Sequence, residues 1–190
     1  MASVGMISLG CEKNRVDAEM MMARLQKAGY ELVDDASCAD VAIVNTCGFI
    51  EAAKKESIGE ILELGKQKAA GQIKAIVVTG CMAERYQQEI RKELPEADAV
   101  CGIGADADIV EVVDRTLRGE HPELFPEKTL LPLCGERVHS TPLYSSYIKI
   151  AEGCDKRCTY CIIPYLRGKY RSVPMEQLEK EARELADQGV

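Results

Sequence analysis

A chain of 190 residues, 46% hydrophobic and 29% charged, is long enough to bury one full domain and part of another. Its formal net charge of −7 argues against a broad nucleic-acid footprint, which relies on clustered Lys and Arg, and suits a basic protein partner better. No apolar run approaches the length of about 20 residues that spans a bilayer, and Met1-Ala-Ser-Val-Gly-Met lacks the basic start and apolar middle of a secretory signal, so no membrane contact and a cytoplasmic location are expected.

Before residue 119 the chain alternates strand and helix. Val4-Gly-Met-Ile-Ser-Leu, Val41-Ala-Ile-Val, Ala75-Ile-Val-Val-Thr and Asp98-Ala-Val are short, apolar and rich in β-branched residues, as buried parallel strands are. Between them, Val16, Met20 and Ala23, with Met21, Leu25 and Ala28, form a helical stripe that stops at Gly29. Met20, Met21 and Met22 read as helix packing. Ile58, Ile61 and Leu62 mark a second helix; Tyr86, Ile90 and Leu94 a third, ended by Pro95; Ile109, Val113 and Leu117 a fourth, ended by Gly119. Such alternation implies an α/β fold with right-handed crossovers and a parallel sheet covered on both faces.

Residues 119–146 hold Pro122, Pro126, Pro132 and Pro142, a density that suggests an extended linker, with an edge strand over Thr129 to Leu133 as the alternative. Residues 147–190 then open a second unit: the apolar stretch Tyr147-Ile-Lys-Ile-Ala, a cysteine-rich loop, and a helix with Leu178, Ala182 and Leu185 on one face and Pro174 near its start. One strand and one helix cannot close a β/α barrel, so this segment should be poorly stabilised unless it docks on residues 1–118.

The nine cysteines, an odd number, point to metal ligands or free thiols in a reducing compartment. Cys154, Cys158 and Cys161 stand in Gly153-Cys-Asp-Lys-Arg-Cys-Thr-Tyr-Cys-Ile. Three closely spaced thiolates can hold three corners of a 4Fe-4S cube and leave one iron open. A tetrahedral zinc site, the alternative, would want a fourth ligand, and neither His121 nor His139 lies inside the triplet. Around this loop Lys156, Arg157, Arg167, Lys169 and Arg171 face one acid, Asp155; the patch reads as a site for a carboxylate or as a solvated loop.

Cys11, Cys47 and Cys81 each follow the carboxyl end of a predicted strand within three residues. In a parallel sheet those ends share one rim, where open α/β folds place ligands, so three distant cysteines should converge there. Gly10, Gly48 and Gly80 sit beside them, as expected where backbone passes close to a bulky ligand. Asn45 and Thr46 are read either as hydrogen-bond donors to such a ligand or as turn formers. Cys101 reads as packing, Cys38 and Cys134 as incidental thiols.

Cys-x-x-x-Cys-x-x-Cys with Tyr160 before the last Cys resembles the radical S-adenosylmethionine superfamily. With Leu9-Gly-Cys-Glu-Lys-Asn, Val44-Asn-Thr-Cys-Gly-Phe-Ile and Thr79-Gly-Cys-Met-Ala-Glu-Arg-Tyr, the chain resembles its methylthiotransferases over nearly its whole length. The Gly48-Phe49-Ile50 form is more like the branch acting on an aspartate of small-subunit ribosomal protein twelve than the tRNA adenosine branch, which stands as the alternative.

The resemblance implies a methylthiotransferase domain over residues 1–118, a linker over 119–146 and the start of a radical SAM partial β/α barrel over 147–190. It implies two 4Fe-4S clusters, one on Cys154, Cys158 and Cys161 and one on Cys11, Cys47 and Cys81, with S-adenosylmethionine at the open iron of the first and Tyr160 beside its adenine. The radical made there would take hydrogen from the aspartate β-carbon, and the second cluster would carry the sulfur species. An electron donor of flavodoxin or ferredoxin type is implied. Family members continue beyond the point where this chain stops, so the expectation is that this piece alone does not turn over. A non-catalytic electron carrier or scaffold, the reading from another class, would be expected to hold fully ligated clusters instead.

Overall fold

The computed structural model describes residues 1–142 and 144–190; Leu143, within the expected linker, lies outside them. The chain runs β1 (Ser3–Ser8), α1 (Glu12–Lys27), β2 (Glu31–Val33), β3 (Val41–Thr46), α2 (Glu51–Ala69), β4 (Ala75–Gly80), α3 (Cys81–Arg85), α4 (Gln87–Glu93), β5 (Ala99–Cys101), α5 (Ile109–Leu117), β6 (Glu123–Leu124), β7 (Ala151–Glu152), α6 (Ile163–Arg167), β8 (Arg171–Ser172) and α7 (Met175–Asp187). The first six strands form one sheet in the order β2-β1-β3-β4-β5-β6, and every pair in it is parallel. The expected α/β architecture is therefore present.

Successive residues of a strand face opposite sides, which divides the core in two. Val41, Ile43 and Val77 pack with Met21, Leu25 and Val113 beneath α1 and α5, whereas Ala42, Val44, Ile76 and Val78 pack with Ile61, Leu64 and Ile90 beneath α2 and α4. Six residues each of β3 and β4 are buried without exception, the mark of strands covered on both faces.

Four details depart from expectation. The buried face of α2 is Ala53, Ser57, Ile61 and Leu64, while Ile58 and Leu62 are 37% and 41% exposed. Apolar identity marks the helix there, but two of the three marking residues lie off its buried face. The stripe of Tyr86, Ile90 and Leu94 is helical only over Gln87–Glu93, with Tyr86 and Leu94 as its flanking caps. Glu31–Val33 pairs with β1, a three-residue strand too short to show periodicity. The edge strand of the proline-rich segment is Glu123–Leu124, not Thr129 to Leu133, where Lys128–Leu130 forms a 3-10 turn. Pro122 immediately precedes that strand and offers its carbonyl to Val100 N, a role that needs no N–H from proline.

After residue 146, Ala151–Glu152 and Arg171–Ser172 pair antiparallel and bracket the cysteine loop and α6. On the last helix Leu185 is buried, Leu178 half-buried and Ala182 exposed. This segment docks on the sheet domain, through charge more than through apolar surface. Lys149 Nζ donates to Asp17 Oδ1 at 2.5 Å, Arg167 Nη1 to Asp17 Oδ2 at 2.6 Å and to Glu152 Oε2 at 3.0 Å, and none of the four side chains is more than 3% exposed. A second cluster joins Glu19 of α1 to Arg137 and Ser140, with Arg137 also paired to Glu181 of α7.

Candidate functional site

The register carries three cysteines to one place. Ser8 pairs with Asn45 and Asn45 with Thr79, so β1, β3 and β4 end level, and Cys11, Cys47 and Cys81 follow. The order β2-β1-β3 also puts Cys11 and Cys47 on either side of the point where the strand order reverses, the crevice where doubly wound sheets bind ligands. The loops are in contact. A Cβ added at Gly10 would lie 2.5 Å from Cys47 Cβ and 2.8 Å from its sulfur, and one at Gly48 would lie 2.6 Å from the Cys81 carbonyl oxygen. Gly10 and Gly80 moreover hold φ of 94° and 92°, a region that suits glycine alone.

These loops open onto a cleft of about 1030 Å³ whose lining includes Gly10, Cys11, Cys47, Phe49, Cys81 and Arg167. All three thiols are free. Cys11 caps α1, so the positive end of a 16-residue helix faces the cleft and favours an anionic occupant. Phe49 and Ile50, each about half exposed, form an apolar lip. Among the described residues no three His, Cys, Asp or Glu side chains are gathered to hold a single metal ion. A 4Fe-4S cube is ligated at separate iron corners, and the donor set here, three free thiols on touching loops around a roomy cleft beside a helix N-terminus, fits that larger anionic group.

Hydrogen bonds brace the rim. Asn14 Nδ2 donates to the carbonyls of Leu9 and Thr46, and Asn45 Nδ2 donates to Asn14 O, tying the first two cysteine loops together. Thr46 Oγ1 donates to Thr79 O and accepts from Ala83 N, tying the second to the third. Asn45 and Thr46 thus brace the backbone of the rim. Asn14 belongs to the motif quoted for Cys11, yet no rule of spacing marks it as the brace it is.

Burial pushes the Cys81 thiol up to about 11, against the opposing pull of the Arg167 guanidinium. Burial likewise raises Cys101, to about 12, with Asp106 adding to it; Cys101 lies in the sheet core, as packing. Asp17 is held below the usual carboxylate range although burial works the other way, because Arg167 and Lys149 outweigh it. Asp106, fully buried and with Oδ1 unpartnered, is raised well above that range by burial and by Asp17. Cys38 sits exposed in a 3-10 turn, and Cys134 Sγ donates to Gln177 Oε1 at 2.6 Å.

The second triplet is built differently. Gly153 (φ 72°) turns the chain after β7, Cys154 N donates to Gly168 O and Cys161 N to Cys158 O, leaving Cys158 exposed and Cys154 and Cys161 half-buried. Tyr160 is 87% exposed, so its ring takes no part in a core. These cysteines do not line the cleft, but α6, which begins two residues after Cys161, closes its side through Ile163, Leu166 and Arg167. Leu166 joins Cys81, Ile103 and Leu131 in one buried apolar cluster. The basic patch is dispersed: Arg167 is buried against Asp17 and Glu152, Arg171 donates to the carbonyls of Lys128, Thr129 and Leu131, and Lys156, Arg157 and Lys169 remain in solvent. Neither Arg167 nor Arg171 is available to a substrate carboxylate, since each already has its partners.

Residues 3–102 match the model of "Uncharacterized protein family UPF0004", and residues 148–190 that of the "Radical SAM superfamily". The chain is 51% identical over 185 residues to the "Ribosomal protein uS12 methylthiotransferase RimO" of Lachnoclostridium phytofermentans, covering 97% of this chain and 42% of that protein. It is 48% identical to the protein of that name from Desulforamulus reducens (100% and 43%) and 47% identical to that of Clostridioides difficile (100% and 43%). The chain therefore spans about two fifths of the length of these curated relatives.

Proposed function

The chain belongs to the UPF0004 family and carries a radical SAM segment after it, and from that premise we propose that it is part of a methylthiotransferase acting on ribosomal protein uS12, at the β-carbon of an aspartate. The observation that carries the reading is the pair of three-cysteine sites, one built at the sheet rim from distant loops and one contained in residues 154–161. Each is one ligand short of a complete set for a 4Fe-4S cube, which is what an iron reserved for a substrate or cofactor requires. A closed electron carrier or scaffold would have no use for two such vacant corners.

In this reading Cys11, Cys47 and Cys81 hold one cluster, Cys154, Cys158 and Cys161 the other, and Tyr160 stands free to lie against the adenine of S-adenosylmethionine. Two clusters and S-adenosylmethionine, when bound, supply the radical and sulfur chemistry. The chain's own part is to hold them: glycine turns bring the rim cysteines together, α1 offers its positive end, and the Phe49 and Ile50 lip faces the approach to the cleft. We take residues 1–118, 119–146 and 147–190 as the units of that arrangement, working in the cytoplasm with an electron donor of flavodoxin or ferredoxin type. A net charge of −7 suits a basic ribosomal protein better than polyanionic tRNA. No helix among the described residues is long and apolar enough to cross a membrane.

The test incubates the whole parent enzyme separately with uS12 and with unmodified tRNA and looks by mass spectrometry for the added methylthio group. Modification of uS12, weakening as salt is raised, is expected. Modification of tRNA with none on the protein would overturn the substrate and favour the tRNA branch.

A further inference from the structure

Resting on the assignment of a cluster to the rim cysteines, we infer that Arg167, which the second unit of the chain contributes, is a positioning residue for that cluster: it donates to the Cys81 sulfur and raises the cluster's reduction potential. Two observations lead there. Arg167 lines the same cleft as Cys11, Cys47 and Cys81, although it comes from α6. The two side chains also meet at Asn14 Oδ1, which accepts from Cys81 Sγ at 3.6 Å and from Arg167 Nη2.

Ligation changes what Cys81 needs. A thiol donates, and Asn14 Oδ1 receives; a thiolate on iron only accepts, and the Asn14 oxygen cannot serve it. Asn14 Nδ2 is already committed to Leu9 O and Thr46 O. The guanidinium, with five N–H groups in a fixed fork, meets the same Asn14 oxygen as that sulfur, and Asp17 and Glu152 hold it in place. A buried cation and an N–H aimed at a ligating sulfur both stabilise the more negative, reduced cluster. Leu166 next to it shares a buried apolar cluster with Cys81, Ile103 and Leu131, so the docking of the second unit reaches the surroundings of one ligand of the first.

Mere structural support makes a different forecast. Lys149 shares the same buried ion-pair network through Asp17 and Glu152, yet its ammonium is spent on Asp17 and on Pro132 O. If Arg167 acted only by holding the units together, Lys149→Met would disturb the cluster as much as Arg167→Gln.

The experiment uses the 190-residue chain with Cys154, Cys158 and Cys161 replaced by Ala, reconstituted anaerobically with iron and sulfide so that only the rim cluster forms. Iron content and the electron paramagnetic resonance spectrum are recorded during titration with dithionite, which adds one electron per cluster without making or breaking a covalent bond. Arg167→Gln is expected to shift the reduction equilibrium at least tenfold toward the oxidised cluster, about 59 mV for one electron. Lys149→Met, which removes no donor from beside the sulfur, should shift the midpoint less than Arg167→Gln does. Arg167→Lys, which keeps a cation between Asp17 and Glu152 but withdraws the fork, is expected to fall between native and Arg167→Gln, and it decides the matter should Arg167→Gln not fold. An unmoved midpoint in the Arg167 variants, or an equal shift in Lys149→Met, overturns the inference while the rim cluster stands. Failure of the starting chain to retain about four irons overturns the rim assignment itself, and the inference with it.

Discussion

The two units of this chain are held by opposite means. The sheet domain has two apolar layers, with β3 and β4 buried along their whole length between helices. In residues 147–190 the buried apolar side chains are Leu166, Val173 and Leu185, while Lys149, Glu152 and Arg167 are buried charges. Apolar burial is non-directional and tolerant of small displacements, whereas a buried ion pair repays its desolvation only when geometry is good. The first unit is thus made stable by its core, and the second is made specific in orientation by charge. That orientation is what sets α6 against the cysteine rim.

The sharpest way to break the contrast is to remove one buried charge. Lys149→Met should cost about 3–5 kcal/mol, because Asp17 and Glu152 lose part of their compensation in a site closed to water. The loss should be local. Hydrogen exchange is expected to speed up at residues 147–190 while amides of β3 and β4 stay protected, and equal loss of protection in both units would show that the units are one cooperative block. The complementary change is Ile43→Ala in the sheet, expected to cost about 2–5 kcal/mol in chemical denaturation and to lower protection throughout the sheet domain.

A smaller effect sharpens the same comparison at the border. Asp106 is buried beside the network with one oxygen unpartnered, and its folded-state carboxyl is raised. Such a group contributes stability that is complete below the unfolded carboxylate range, near 3.8, and is lost as pH rises through the elevated folded value. Asp106→Asn should therefore be more stable than the native chain near neutrality, with the gain vanishing toward pH 3.8. Asp17 has the reverse sign: its contribution is present above the ordinary range and is lost as pH falls through its depressed value. A denaturation series across pH that shows no narrowing of the Asp106→Asn gain would contradict the buried, protonated carboxyl.

Legibility in the sequence followed locality. The strands Val41-Ala-Ile-Val and Ala75-Ile-Val-Val-Thr and the repeated cysteine after a strand end were readable because each is a local pattern, and the parallel sheet turns that repetition into convergence. The inner face of α2 was not legible, because Ala53 and Ser57 face the core while Ile58 and Leu62 do not, and hydrophobicity alone does not rank fit. Arg167 read as a surface base, since nothing local to it shows that Asp17, 150 positions earlier, is its partner. Asn14 and Asp17 sit on a helix among Val16, Ala18 and Met20, and their burial becomes intelligible only when the second unit covers that face.

The measurement that bears most directly on the two cysteine sites is the iron and sulfide content of the chain after anaerobic reconstitution. About eight irons and eight sulfides per chain are expected, falling to about four of each when Cys11, Cys47 and Cys81 are replaced by Ala and likewise when Cys154, Cys158 and Cys161 are. Iron that stays near eight without the rim cysteines, or a native chain that never exceeds about four, would contradict a cluster at the sheet rim.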